Sequence, residues 1–112
     1  MPHDDRVYLQ HIRDAAERIR GYVHGLDEAD FKKNELVQDA VIRQIEIMGE
    51  ATKRLSAKTK DLQPDIPWRD IAGMRDKLIH DYFGVDIERV WLTVTDDLPE
   101  LASKISALLS RL

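Results

Sequence analysis

Apolar residues in this chain return every three or four positions and nowhere alternate with polar ones over the length of a strand. That one property commits the chain to helices. Tyr8, Ile12, Ala15, Ile19, Tyr22 and Leu26 form a single stripe of an amphipathic helix. Gly25 and the polar LDEAD that follows end it, and Asn34 is placed to cap the next helix. The second helix, about Glu35 to Ala57, carries two apolar rows. One is Val37, Val41, Ile45, Met48, Thr52 and Leu55; beside it run Leu36, Ala40, Ile47 and Ala51. Together they cover about half of the circumference at roughly 100° per residue. A helix so broadly apolar is either central in a bundle or shared with another subunit. Its remaining face bears Arg43, Glu46 and Glu50, spaced by three and four.

Pro64 and Pro67 mark the next break, and Pro67 suits a first helical turn, where its missing N–H costs nothing. A third helix is expected from about Trp68 to just before Gly84, a good left-handed terminator. Asp86 can cap a fourth, whose apolar row is Ile87, Val90, Trp91, Val94, Leu98, Leu101, Ile105, Leu108 and Leu112. Pro99 interrupts that row and should kink or split the helix. The expected architecture is an all-α antiparallel bundle of four main helices, five if Pro99 splits the last. With 112 residues the chain makes one domain, 1–112, able to bury a single core.

Composition narrows the function classes. There is no cysteine, hence no disulfide framework and no thiolate metal site. No apolar run approaches the ~20 residues that span a bilayer, and MPHDDRVYLQ lacks the apolar core of a leader. A cytoplasmic protein without membrane partners is expected. A net charge of −4 argues against a constitutive nucleic-acid binder, though an enzyme needs only local, transient contacts with RNA.

Within the third helix lies RDKLIHDY, residues 75–82. On a regular wheel with Ile71 at the origin, Trp68, Met74, Leu78 and Ile79 fall within about 80° of it. Arg75, at roughly 40°, and Tyr82, near 20°, share that apolar sector, while His80 lies near 180°, beside Asp76 and Lys77. An arginine in an apolar stripe needs a partner or a solvated cleft. Arg75 and His80, roughly 140° apart, meet only under one of three conditions. The helix loosens toward Gly84, Arg75 reaches around, or a second copy contributes through a two-fold interface.

Taken singly, each of these groups has a plain reading. Arg75 pairs with Glu46 or Glu50, His80 is a surface histidine, and Tyr82 is a core tyrosine. Arg6, Arg13 and Arg20 share a side of the first helix with Asp14 and Glu17 and read as a solvated face. Lys53, Arg54, Lys58 and Lys60 form the most basic run, a solvated helix end with some capacity to steer RNA. Trp68 and Trp91 read as core aromatics. His3, His11 and His24 lack metal-ligand spacing.

Read together, Arg75, His80 and Tyr82 form R-x4-H-x-Y. With IRQIEIMGEATKRLS (42–56), IPWRDIAGMRDKLIHDYFGVDIERVW (66–91) and DDLPEL (96–101), the pattern resembles HEPN domains. More narrowly, it resembles the HepT-like toxins that partner minimal nucleotidyltransferase antitoxins of the MntA type. The resemblance runs from the second helix onward. It implies a homodimer with a metal-independent endoribonuclease site at the dimer cleft and no cofactor. Arg75 and His80 would act there on an RNA 2′-hydroxyl and the adjacent phosphate, with Arg43, Glu46, Glu50 and Asp76 in support. The residue types suit that work, since imidazole exchanges protons near neutral pH and guanidinium binds phosphate. The resemblance further implies that the antitoxin adds AMP to Tyr82 and so blocks the cleft. The alternative is a non-catalytic HEPN adaptor that binds and regulates a nucleotidyltransferase.

Overall fold

A computed structural model describes residues 4–81 and 84–112, and for 78–81, 84 and 85 the backbone alone. Every long element is a helix. Helix α1, Asp5–Val23, is capped by Asp4, whose side chain accepts from Arg6 N. Gly25, at φ +78°, turns the chain after it. Helix α3, Glu35–Lys53, begins where Asn34 accepts from Val37 N at 3.1 Å, as its sequence predicts. It ends some four residues earlier than the apolar rows suggest.

Between them lies α2, Glu28–Lys33, beginning within the polar LDEAD stretch that ends the first helix. A capping box closes it, Asp27 accepting from Asp30 N and Asp30 from Asp27 N. The Gln38 amide donates to Phe31 O at 2.8 Å and Lys32 O at 3.1 Å, so α3 satisfies the carbonyl end of α2. A second short helix, α4 at Ala57–Asp61, starts on Ser56, which accepts from Thr59 N. The Asp5 carboxylate accepts from Ser56 N, Ser56 Oγ and Thr59 Oγ1, and so ties the start of α1 to the start of α4.

The core is one cluster. Leu9, Ile12, Ala15, Ala16 and Ile19 of α1 meet Val41, Ile45 and Met48 of α3. The stripe on α1 is therefore turned from its expected axis: Leu9 and Ala16 are inside, and Tyr22 is exposed. On α3 the first row is in the core, but Leu36 of the second row is 80% exposed and Ala40 and Ile47 are only half-buried.

The last apolar row runs through α7, Ile87–Leu92, a π-helical segment, Thr93–Asp97, and α8, Leu98–Ser110. Val90, Val94, Leu98, Leu101, Ile105 and Leu108 are all buried. In a straight α-helix the steps of four from Val90 to Val94 to Leu98 would drift by about 80°. The wide π turn absorbs that drift and keeps the row on one face. Its cause is Pro99, which offers no N–H to the carbonyl four residues back and crowds it. Leu98 N bonds instead to Thr93 O, five residues back. The proline expected to kink this helix widens the turn before it.

The expected third helix is two. Helix α5, Trp68–Ala72, and helix α6, Met74–Leu78, are separated at Gly73. Beyond Leu78 the backbone is extended rather than helical at Ile79–Asp81 and again at Gly84–Val85. Strand β1, Ile79–Asp81, pairs antiparallel with β2, Gly84–Val85, in the register Ile79 to Val85 and Asp81 to Gly84. Among the described residues, no helix is long and apolar enough to cross a membrane.

Candidate active site

Helices α3 and α5 can approach closely because α3 has a glycine at their crossing. A Cβ added to Gly49 would stand 3.3 Å from Ile71 O and 3.4 Å from Ala72 O. This approach brings the polar face of α3 beside the start of α6. The two enclose an open cleft of about 280 Å³, lined by Arg43, Glu46, Gly49, Glu50, Lys53, Ala72, Arg75 and Asp76. Five of the residues singled out from the sequence are thus neighbours: Arg43, Glu46, Glu50, Arg75 and Asp76.

Arg75 is not in the apolar face. Its side chain is 52% exposed. The wheel fails because its phase was carried from Ile71 across Gly73, where the helix is interrupted. Arg75 Nε donates to Glu46 Oε2 at 3.1 Å, and Nη1 lies 3.7 Å from Asp76 Oδ1. Of the two carboxylates that could pair with Arg75, α3 supplies Glu46. Glu50 instead faces Lys53, at 3.6 Å. Asp76, expected beside His80, is engaged by Arg75.

The second half of the motif is placed by its backbone. Residue 80 belongs to β1 and not to a helix, so its angle on a helical wheel has no meaning. Arg75 and His80 sit on different elements, which removes the objection that a regular helix would point them apart. The His80 side chain and the whole of Tyr82 lie outside the described residues.

Lys53 and Gly49 were not singled out as site residues. Lys53 extends the Glu46–Glu50 row by a further step of three, and Gly49 is a glycine inside a strongly periodic helix. Both signals were present in the sequence. The other candidates follow their plainer readings. Trp68 is in the core, its indole N–H donating to Lys60 O and Gln63 O, and Trp91 stacks at a tilt on Phe31, ring centres 5.2 Å apart. Arg6 and Arg13 face Asp4 and Asp14 at the surface. His11 packs edge-on to Tyr8, and His24 is exposed. His3 lies outside the described residues.

A second depression, about 320 Å³, lies on the other flank of α5, between Ile71, Met74 and Leu101. Its rim carries Asp65, Asp70, Asp97, Glu100 and Lys104. Lys104 lies 3.0 Å from Asp65 and 3.2 Å from Glu100. The hydrogen bond from Lys104 holds the Asp65 carboxyl below its ordinary value, and the same contact, followed by that to Glu100, raises Lys104. A rim with four carboxylates and one ammonium repels a polyanion. The cleft beside Arg75 is the one suited to phosphate.

Comparison with known proteins places the chain in a family. Residues 12–108 match the family model described as "Ribonuclease HepT-like". The chain is 44% identical to "Probable ribonuclease HepT" of Thermococcus cleftensis, over 96% of this chain and 98% of that one. It is 40% identical to "Putative RNase TTE0752" of Caldanaerobacter subterraneus, over 95% of each. It is also 42% identical, over its whole length, to half of "Gamma-glutamylcyclotransferase and putative RNase MJ0434" of Methanocaldococcus jannaschii. No solved structure matches the chain.

Proposed function

Because the chain belongs to the HepT-like ribonuclease family, within the HEPN superfamily, and is an enzyme of that class, we propose that its site is the Arg75 cleft together with His80. On this reading the protein is the toxin of a toxin–antitoxin pair, a homodimeric endoribonuclease that needs no metal. The observation that carries it is the hold of Glu46 on Arg75. A carboxylate fixed on α3 orients a solvent-open guanidinium in a concave, polar site. The catalytic guanidinium of a phosphodiesterase must meet that requirement.

The chemistry follows from the residue types. His80 accepts the proton of an RNA 2′-hydroxyl as that oxygen attacks the adjacent phosphorus. The P–O5′ bond breaks, the 5′-oxygen takes up a proton, and a 2′,3′-cyclic phosphate remains. Arg75 binds the non-bridging oxygens, whose charge grows in the transition state. Glu46 and Asp76 hold Arg75 in place. A second subunit seats against the start of α3, where Leu36 is 80% exposed, two turns before Arg43 and the cleft.

Control lies at Tyr82. Its hydroxyl attacks the α-phosphorus of ATP on a minimal nucleotidyltransferase partner, forming a tyrosyl–AMP bond and releasing pyrophosphate. The added anion then occupies the approach to Arg75 and His80. Intact mass of the co-expressed pair checks this step. AMP-sized additions lost in Tyr82→Phe support it, and additions that persist in that variant refute it.

Cleavage of a defined RNA by the purified protein, with and without EDTA, tests the nuclease reading. Products ending in a cyclic phosphate, absent from a substrate with 2′-deoxyribose at the cut site and from Arg75→Ala, are expected. The competing reading is a non-catalytic adaptor for the nucleotidyltransferase. One observation favours it, since Arg75 is engaged by two carboxylates. RNA left intact at high protein concentration would decide for the adaptor.

A further inference from the structure

The cleft contains six ionisable side chains: Arg43, Lys53 and Arg75 against Glu46, Glu50 and Asp76. They are not evenly matched in space. Arg75 engages both Glu46 and Asp76, and Lys53 faces Glu50. Two cations thus occupy all three carboxylates. Arg43, one helical turn before Glu46 on α3, is exposed and has no ion pair or side-chain hydrogen bond among the described residues. Among the described residues it is the cleft's cation with nothing to hold.

We infer that Arg43 is a substrate-binding residue that takes a backbone phosphate of the RNA beside the one attacked. This rests on the cleft being the RNA site proposed above. Carboxylates on the same face would repel a strand laid across α3 if their charge were free. With each of them already facing a cation and the six groups summing to no net charge, the strand meets little repulsion and an open guanidinium at Arg43. Its planar fork can bind two phosphate oxygens at once, and binding breaks no bond to the described residues. The labour is divided: Arg75 is oriented by the protein and serves the reacting phosphate, while Arg43 is oriented by the substrate and holds the strand.

The test measures RNA binding apart from cleavage. A short 5′-fluorescein single-stranded RNA is titrated by anisotropy with the His80→Ala protein, alone and combined with Arg43→Ala or Arg43→Lys, across a series of salt concentrations. Arg43→Ala should weaken binding about tenfold and reduce the slope of log Kd against log salt by about 0.7, one single-strand phosphate contact. Arg43→Lys keeps the charge and should keep the slope while recovering part of the affinity. Thermal midpoint and elution volume should not move in either variant.

Equal binding by Arg43→Ala would overturn the inference. So would weakened binding that comes with a lower midpoint or a changed oligomeric state, which would make Arg43 a packing or subunit contact. Cleavage by the wild-type protein is scored separately. If the RNA survives but binding still depends on Arg43, the nuclease reading fails and the strand contact stands. If the RNA is cut and Arg43→Ala binds as well as its parent, the reverse holds.

Discussion

Glu46 and Arg75 are 29 residues apart in sequence, yet the carboxylate of one accepts from the guanidinium of the other at 3.1 Å. The bond joins α3, at the centre of the core, to the short helix that leads into the second half of the motif. Both partners are open to water, so the pair contributes about 0–1 kcal/mol to stability. Its effect on a reacting phosphate is expected to be larger, because a misplaced guanidinium loses most of its use. Glu46→Gln should lower kcat on RNA by roughly 10- to 100-fold. The thermal midpoint should stay close to that of the parent. A large loss of stability with unchanged turnover in the folded fraction would reverse this assignment.

Gly49 is a second point where packing and site meet. Valine there would press two further carbons beyond the Cβ toward Ile71 O and Ala72 O, already within 3.3 and 3.4 Å of a Cβ. Overpacking of this kind costs about 1–3 kcal/mol. Gly49→Val should therefore unfold at a lower temperature and lose turnover beyond its loss of folded protein, since α5 and α6 must shift away from Glu46. Alanine is the control. The helical preference gained by replacing glycine, about 0.5–1 kcal/mol, offsets the tight contact, so Gly49→Ala should be near neutral in stability.

The subunit contact proposed for the start of α3 is open to a direct test. Leu36→Glu places like charges on a two-fold face without touching the core cluster. Sedimentation should then report a monomer with its helical content intact, and RNA cleavage should fall with the dimer. A parent chain that is already monomeric at the assay concentration would remove the need for a partner.

The acidic depression predicts a pH dependence. The Asp65 carboxyl is depressed below 3.8 by Lys104, so its contribution is present above that value and fades as pH falls through its lower folded value. Lys104 is raised above 10.5, so its share is present below 10.5 and fades as pH rises through the folded value. Asp65→Asn should accordingly melt slightly below the parent at neutral pH. The two should converge in acid well below 3.8. A gap that widens in acid would mean that Asp65 acts through something other than its charge.

Much of this was legible in the sequence because it depends on long periodic segments. The α1 and α3 helices, the Asn34 cap and the buried row from Val90 to Leu108 all follow from spacing. So does the gathering of Arg43, Glu46 and Glu50 on one face. What spacing could not supply were breaks in phase. Glycine inside a helical pattern is a weak stop signal, so Gly73 was passed over and the wheel carried Arg75 into the apolar sector. Helices α2 and α4 have six and five residues, too short for periodicity, and only their caps at Asp27 and Ser56 mark them. Pro99 signalled a disturbance, but a proline alone does not say whether a helix bends, splits or widens its preceding turn.

At Gly49 the two helices meet main chain to main chain, and the cleft opens beside that contact. Its depth is therefore fixed by a missing carbon rather than by any side chain it displays. Such a site tolerates sequence drift unevenly. Substitutions around the rim alter what is bound, whereas growth at one small position drives α5 and α6 off α3 and parts Arg75 from Glu46. A descendant of this chain with a larger residue there keeps its R-x4-H-x-Y signature and loses the hold that aims its guanidinium.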